Sequence, residues 1–404
     1  MRAICLYLHI HQPWRYRQYS IFNVAKNHDY WRDDFNSKQN NERIFRKVAE
    51  KSYRPMLSLL ERNLAKHPGF RVSLSITGTW LDQAELWAPD VIAQLQRIVA
   101  TGRVEIVAEN YYHSLAFFYN RAEFERQVEQ HRQKIRQLFG VESRVFRNTE
   151  LSYNDELGQW ADAAGFKAVL AEGWDKILGW RSPNHVYRPV DTKNIRLLLK
   201  NYRLSDDIAF RFSNRAWKEW PLTVDKYQNW LNMDALRGNL INLFMDFETF
   251  GEHQWEDTGI FKFMDRLIEQ WLAVYDNRFV TVSEAAELEA PVDEISMPQT
   301  VTWADTERDL SAWTGNSMQH EALAALYDMT ERIMAVNDAE LLEDYRRLTT
   351  SDHAYYMCTK YWNDGDVHAY FSAYDSPYDA FMYYMNVVRD VEYRLMSAER
   401  ERLG

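Results

Sequence analysis

The 404-residue sequence holds only two cysteines, Cys5 and Cys358, far apart in the chain. That excludes a disulfide framework. At most one bridge can form, and two scattered thiols in a chain of this size read as reduced, buried residues of a cytoplasmic protein. No apolar stretch approaches the roughly 18 residues of a membrane span, so no membrane partner is expected. No block of lysine and arginine stands out, and 59 acidic residues against 48 basic give a formal net charge of -11. A nucleic acid is therefore not an expected partner. Obvious repeats and low-complexity tracts are missing too. The opening MRAICLYLHIHQPWRY has no small-residue cleavage site, and its short apolar run reads as a first β-strand rather than a leader.

Aromatic residues, by contrast, are abundant: 15 Trp, 24 Tyr and 20 Phe make up 15% of the chain. Core packing claims the larger share of them, although flat aromatic faces also suit the C–H faces of pyranose rings. Short apolar runs alternate with longer amphipathic stretches, which predicts repeated β-α units and a parallel sheet or barrel. Strands are expected at Ala3–His9, Arg71–Ile76, Val104–Val107, Val145–Arg147, Lys167–Ala171, Arg203–Ile208 and Asn239–Met245, with a last strand-like piece at Phe279–Val282. Helices are expected between them, including Arg43–Lys66 with a kink at Pro55, Pro89–Thr101, Arg121–Phe139 ending before Gly140, Asp155–Gly165 and Thr258–Tyr275. From about Ala304 the apolar spacing becomes helical, with Ser317–Val336, Ala339–Leu348 and a long helix opened by the Ser376-Pro377 cap. The expected organisation is a barrel over residues 1–285, a linker at Glu284–Gln299 and a C-terminal helical domain over residues 300–404. The polar, aromatic stretch Trp14–Asn41 reads as a long loop after the first strand.

In a parallel barrel, reactive groups project from the C-terminal strand ends. His9, His11 and Gln12 follow the first strand; the two histidines point the same way, either as half a metal site or as neutral donors to a substrate, and no third ligand at short spacing favours a metal. Glu105 lies inside an apolar strand, where it either faces a polar centre or has a cationic partner. His113 follows a little later. The fourth strand ends in Arg147-Asn-Thr-Glu150, and Arg147 is expected to hold Glu150 ionised, as a nucleophile requires. The alternative is a helix N-cap signal. The last of the seven runs ends in Asp246-Phe-Glu248, and the apolar neighbours Met245 and Phe247 are expected to raise the Asp246 pKa and keep it a protonated acid. One ionised and one protonatable carboxyl at strand ends is the pair a glycosidase uses.

Five short regions in order resemble glycoside hydrolase family 57: Leu8-His-Ile-His-Gln-Pro13, Gly102-Arg-Val-Glu-Ile-Val107, Arg147-Asn-Thr-Glu-Leu151, Met245-Asp-Phe-Glu-Thr-Phe-Gly251 and Ser351-Asp-His-Ala-Tyr-Tyr-Met357. The wording is most similar to the α-amylase-like branch of that family. The resemblance implies an α/β fold, an incomplete (β/α)7 TIM-like barrel followed by a helical domain, acting on α-glucans such as starch, glycogen and maltooligosaccharides. It also implies a retaining mechanism with Glu150 as nucleophile and Asp246 as acid/base, without cofactor or metal. Chemistry and resemblance together add His11, His9, Gln12, Glu105, His113, Asp207, Glu248, Trp303, Trp313, Asp352 and Tyr356 as substrate-binding candidates; for the aromatics, core packing is an equal alternative. Met245 and Phe247 stand where glucanotransferases of the family favour an Asp-Asp-Gly-Glu run, which points to hydrolysis over transfer. A 4-α-glucanotransferase, a glucan-binding protein with a silent site and a metal-dependent deacetylase are the rival readings, and homo-oligomerisation stays open.

Overall fold

The computed structural model describes residues 2–360 and 370–403. Among the described residues ten strands run in chain order: β1 (Arg2–Ile10), β2 (Val72–Ile76), β3 (Val104–Val107), β4 (Val145–Phe146), β5 (Ala168–Glu172), β6 (Val186–Pro189), β7 (Arg196–Lys200), β8 (Leu240–Asp246), β9 (Asn277–Val280) and β10 (Glu294–Ile295). One parallel sheet has the order β3-β2-β1-β8, with β9 paired to the lower half of β1. The second has the order β10-β6-β7-β5-β4, all parallel except the β6–β7 pair. The two sheets are stitched where Ala108 bonds to β4, its amide donating to Val145 at 2.9 Å. On the far side β7 is paired with β6 at Leu197 and Leu198 and reaches β8 only at its upper end. There the Asn201 amide donates to the Asn242 carbonyl, and the Asn242 side chain donates to the Leu199 carbonyl, both at 2.9 Å. The result is an incomplete barrel of seven parallel strands, β1 to β5, β7 and β8.

The two-residue period of the strands sorts the side chains. Ile4, Leu6, Leu8 and Ile10 face outward, into a core shared with the surrounding helices. Ala3, Cys5 and Tyr7 face inward, where they meet Val107, Val145, Leu170, Leu198, Leu240 and Phe244. This apolar plug fills the barrel centre. Any charged residue that continues the inward series must sit above or below the plug, and above it lie the C-terminal strand ends.

Expected and observed elements differ in instructive places. Arg203–Ile208 is not a strand; Tyr202–Ala209 is a helix whose first turn is capped by Asn201, which accepts from the Leu204 amide. The missing barrel strand is Arg196–Lys200, so the expected seven-strand count holds with a different member. Glu284–Gln299 is no free linker, because β10 within it pairs with β6, and Ile295 and Met297 are fully buried. The kink expected at Pro55 is taken up just before it by a π-helical segment, Ala49–Tyr53, inside an otherwise continuous run from Asn41 to Lys66. Arg121–Phe139 ends as expected, with Gly140 in the left-handed conformation.

The helical region contains Ser317–Tyr327, Thr330–Val336, Ala339–Leu348, Ser351–Tyr355 and Pro377–Leu403. The Ser376 hydroxyl accepts from the Asp379 amide, the expected cap. Part of this region's core comes from the other end of the chain. Tyr16, Tyr19, Tyr30 and Trp31, from the long loop after β1, pack among Tyr345, Tyr384, Val391 and Leu395. Asp390 accepts from the Tyr30 hydroxyl and the Ala25 amide, and Asp344 accepts from the Trp31 indole at 2.7 Å.

Candidate active site

Above the apolar plug the inward series turns polar on every strand. His9 and His11 continue β1, Glu109 continues β3, Arg147 continues β4, and Asp246 ends β8. His9 and Asp246 are cross-strand partners in the β1–β8 register, which brings the His9 Nδ1 to 3.5 Å from the Asp246 carboxylate. The other His9 nitrogen lies 3.1 Å from Glu109 Oε2. Arg147, wholly buried, donates to the same oxygen at 3.3 Å. Glu109 is buried too, but the charges and hydrogen bonds of His9, His113 and Arg147 outweigh desolvation and hold its carboxyl well below the usual range.

Glu150 lies just beyond β4 in a short turn, and both it and Leu151 adopt left-handed backbone angles, φ 57° and 50°. Such angles cost about 1–3 kcal/mol each in a non-glycine residue and persist only where the surroundings enforce them. His113, itself left-handed at φ 52°, places Nε2 3.0 Å from Glu150 Oε1. The Trp303 indole donates to Oε2 at 2.8 Å. Desolvation would raise the Glu150 pKa, yet the His113 hydrogen bond and charge together with Trp303 lower it. The carboxylate is thus held ionised, as expected, but by His113 and Trp303; Arg147 is turned to Glu109.

The expectation for Asp246 fails in sign. Met245 and Phe247, its apolar neighbours in sequence, are buried in the outer core, on the opposite face of the strand end. What Asp246 meets is His9, His253 and Arg147. Enclosure in the cleft raises its pKa, but these groups outweigh it and lower the value. Its side chain keeps 44% exposure. The carboxyl that is pushed up is Glu248, to about 8, first by burial and then by the Asp246 charge. Glu248 accepts from the Tyr53 hydroxyl at 2.9 Å and the His11 amide at 3.3 Å.

His11 bridges the barrel to the helical region. Its Nδ1 lies 2.9 Å from Thr77 Oγ1 and its Nε2 3.0 Å from Asp352 Oδ2. Burial and the neighbouring His113 lower its pKa to about 4. His113 is the opposite case: burial works against its charge, but the hydrogen bonds to Glu109 and Glu150 push it up to about 9. The rings of His11 and His113 stack at 4.2 Å. Two sets of ligand atoms, His9–Glu109–His113 and His11–His113–Asp352, lie within 4.8 Å of one another. Each of these donors already has a hydrogen-bond partner inside the site, so a cation would have to displace that network.

Of the residues singled out from sequence, His9, His11, His113, Glu150, Asp246, Glu248, Trp303 and Asp352 come together. Gln12 is adjacent: its side chain accepts from Arg15 and its carbonyl from Gln83, bracing the loop after β1. Glu105 has the correct parity but the wrong height. It lies below the plug, accepting from the Ser73 and Ser283 hydroxyls and the Ser283 amide, with neither a cation nor the cleft as partner among the described residues. Asp207 sits on the helix after β7 in an ion pair with Arg211 at 2.6 Å. Trp313 packs against Tyr355, and Tyr356 against Tyr374, both in cores. Missed from sequence were Glu109 and Thr77. Glu109 had a signal: it is two residues beyond an apolar strand and in register with the inward series.

A curled parallel barrel with a carboxylate and histidine cluster at its C-terminal strand ends defines a class of barrel enzymes. Residues 5–298 match Glycosyl hydrolase family 57, and the chain belongs to that family. A Methanocaldococcus jannaschii protein described as "Putative alpha-amylase" is 41% identical over 397 residues, covering 95% of this chain and 83% of that one. A 4-alpha-glucanotransferase of Thermococcus litoralis is 19% identical over 302 residues, 75% of this chain and 41% of its own length. Among solved structures, a GH57 branching enzyme from Thermococcus kodakaraensis superposes with a TM-score of 0.66 at 14% identity, covering 92% of this chain and 87% of that one. The alpha-amylase AmyC from Thermotoga maritima gives 0.61 at 14% identity, covering 100% and 94%. These two likenesses concern the fold alone. Among the described residues no helix is long and apolar enough to cross a membrane.

Proposed function

We propose that this chain is a retaining glycoside hydrolase of α-amylase type, acting on α-glucans such as starch, glycogen and maltooligosaccharides. Glu150 attacks the anomeric carbon as the glycosidic C–O bond breaks, and Asp246 delivers a proton to the departing oxygen. In the second half-reaction Asp246 takes a proton from water, which attacks the same carbon and releases Glu150. The observation that carries this reading is the pair of hydrogen bonds on Glu150. A cationic His113 and the Trp303 indole hold the carboxylate ionised and aimed, the state a nucleophile needs. Asp246, half-exposed at the end of β8, gains its proton when sugar covers it, with the protonated Glu248 beside it. For a retaining enzyme the two catalytic carboxyls lie about 5–5.5 Å apart, a separation to be read from a glucan complex.

His9, His11, Glu248 and Asp352 are assigned to orienting the reacting sugar. The barrel over residues 1–285 is assigned the chemistry and the helical part over residues 300–404 one wall of the cleft. The buried thiols of Cys5 and Cys358 suit a reducing compartment, and the cytoplasm is the proposed location. The Thermococcus litoralis relative keeps a second reading in view, 4-α-glucanotransfer, which shares every step but the acceptor. Incubation with maltooligosaccharides and glycogen tests both. Shorter products with new reducing ends are expected; longer oligosaccharides without them would mean transfer. Glu150→Gln is expected to be inactive, and retained turnover in it would overturn the nucleophile assignment.

A further inference from the structure

The Trp303 ring also meets a charged layer to which the reaction above gives no role. Glu172 and Lys200 are the last residues of β5 and β7 and are cross-strand partners. Both are buried. Lys200 Nζ lies 3.0 Å from Asp206 Oδ1 and 3.6 Å from Glu172 Oε2, and Arg308 Nε approaches the same Glu172 oxygen at 3.9 Å. The two strand ends are pressed together: a Cβ at Gly173 would stand 2.2 Å from the Lys200 carbonyl oxygen. A lysine buried in this way is costly unless it is paired, and an apolar side chain would fill the space more cheaply. Here the ammonium is held by two acids and lies 5.4 Å from the centre of the Trp303 ring. Arg147 lies 5.4 Å from the same ring.

A cation is attracted to the face of an indole, and the attraction grows when both are desolvated. The plane of the Trp303 ring in turn decides where its N–H points, and it points at Glu150 Oε2. We propose that Lys200, anchored by Glu172 and Asp206, is a positioning residue for the nucleophile: it fixes the Trp303 ring and, through it, the Glu150 carboxylate. This rests on the assignment of Glu150 as nucleophile.

The test is a double-mutant cycle on the full-length protein, with kcat and KM measured on a maltooligosaccharide. Lys200→Met is expected to lower kcat by about 10- to 100-fold, the scale of a small misplacement of a reacting group, with KM within about twofold. Lys200→Arg, which keeps the cation, is expected to recover most of that loss. In a Trp303→Phe background Lys200→Met should cost less than about twofold further, because the group it acts through is gone. Losses that multiply in the double variant, or a rise in KM at unchanged kcat, would overturn the proposal. Glu172→Gln is the second variant; should Lys200→Met fail to fold, its cycle with Trp303→Phe decides in the same way. An active Glu150→Gln removes the nucleophile assignment itself, whereas an inactive Glu150→Gln with multiplying losses removes only the role of Lys200.

Discussion

Glu150 and Trp303, 153 positions apart, are joined twice: the indole donates to the carboxylate at 2.8 Å, and the Trp303 amide donates to the Glu150 carbonyl at 3.2 Å. The second bond holds the backbone of a left-handed turn, and the first aims its side chain. The segment that closes over the barrel is therefore part of the machinery that presents the carboxylate.

Removing the indole should change the charge state of Glu150. The Trp303 hydrogen bond is one of the groups lowering that pKa, so Trp303→Phe raises it. A nucleophile must be ionised, and the acid limb of kcat/KM is expected to move to higher pH. A full pH–rate profile of the variant checks this; an unmoved acid limb would contradict it.

Glu248 should control the other limb. Asp246 is held low and Glu248 is pushed up to about 8, so in the free enzyme the proton of the pair resides on Glu248. Glu248→Gln leaves Asp246 as the sole titrating carboxyl of the two. The alkaline limb of kcat/KM is then expected at lower pH than in the unaltered protein.

His113 links the site to stability. Its folded pKa of about 9 stands above the ordinary 6.5, so its contribution is complete below pH 6.5 and disappears as pH rises through 9. Thermal unfolding midpoints between pH 6 and 10 should fall in the unaltered protein and fall less in His113→Gln. Equal slopes in the two would show that the His113 proton is not the cause.

Gly251, which closes the motif around Asp246, is fixed by space and backbone angle together. Its φ is 107°, and a Cβ there would stand 1.9 Å from the Lys51 carbonyl oxygen. Gly251→Ala is expected to cost on the order of 2–4 kcal/mol, strain and overpacking combined, seen as a lowered unfolding midpoint. The loop under Asp246 would shift with it.

Sequence reasoning reached furthest where a residue's role depends on strand parity. Asp246, His9 and His11 follow apolar runs and keep the inward series, whereas Glu150 breaks the parity of Val145 and Arg147 and enters the site through its left-handed turn. Height along the barrel is not written in that period, which is why Glu105 looks like Glu109 until the plug of Tyr7 and Phe244 is seen between the barrel's two ends. The Asp246 pKa was misjudged because residues adjacent in sequence point away from it along a strand, while His9 belongs to the neighbouring strand. Glu172 directly follows the expected strand Lys167–Ala171 and carries the same signal as Glu109, whereas Lys200 is hidden for a simpler reason. β7 offers only three consecutive leucines, and the helix after it, with its Asn201 cap, carries enough apolar residues to pass for the strand. The contact of Asp352 with His11 spans 341 positions, and its place on either partner could come only from the motif pattern.

The loop after β1 has a consequence for the order of synthesis. Tyr16, Tyr19, Tyr30 and Trp31 are made long before the helices that cover them, Ala339–Leu348 and Pro377–Leu403. Until those helices are made, these aromatic side chains lack most of the native surface they bury against, although the strands beside them can already pair. The nascent chain therefore carries an uncovered aromatic segment while the barrel is being made, and closure of the helical region is a late event rather than one that keeps pace with elongation of the strands.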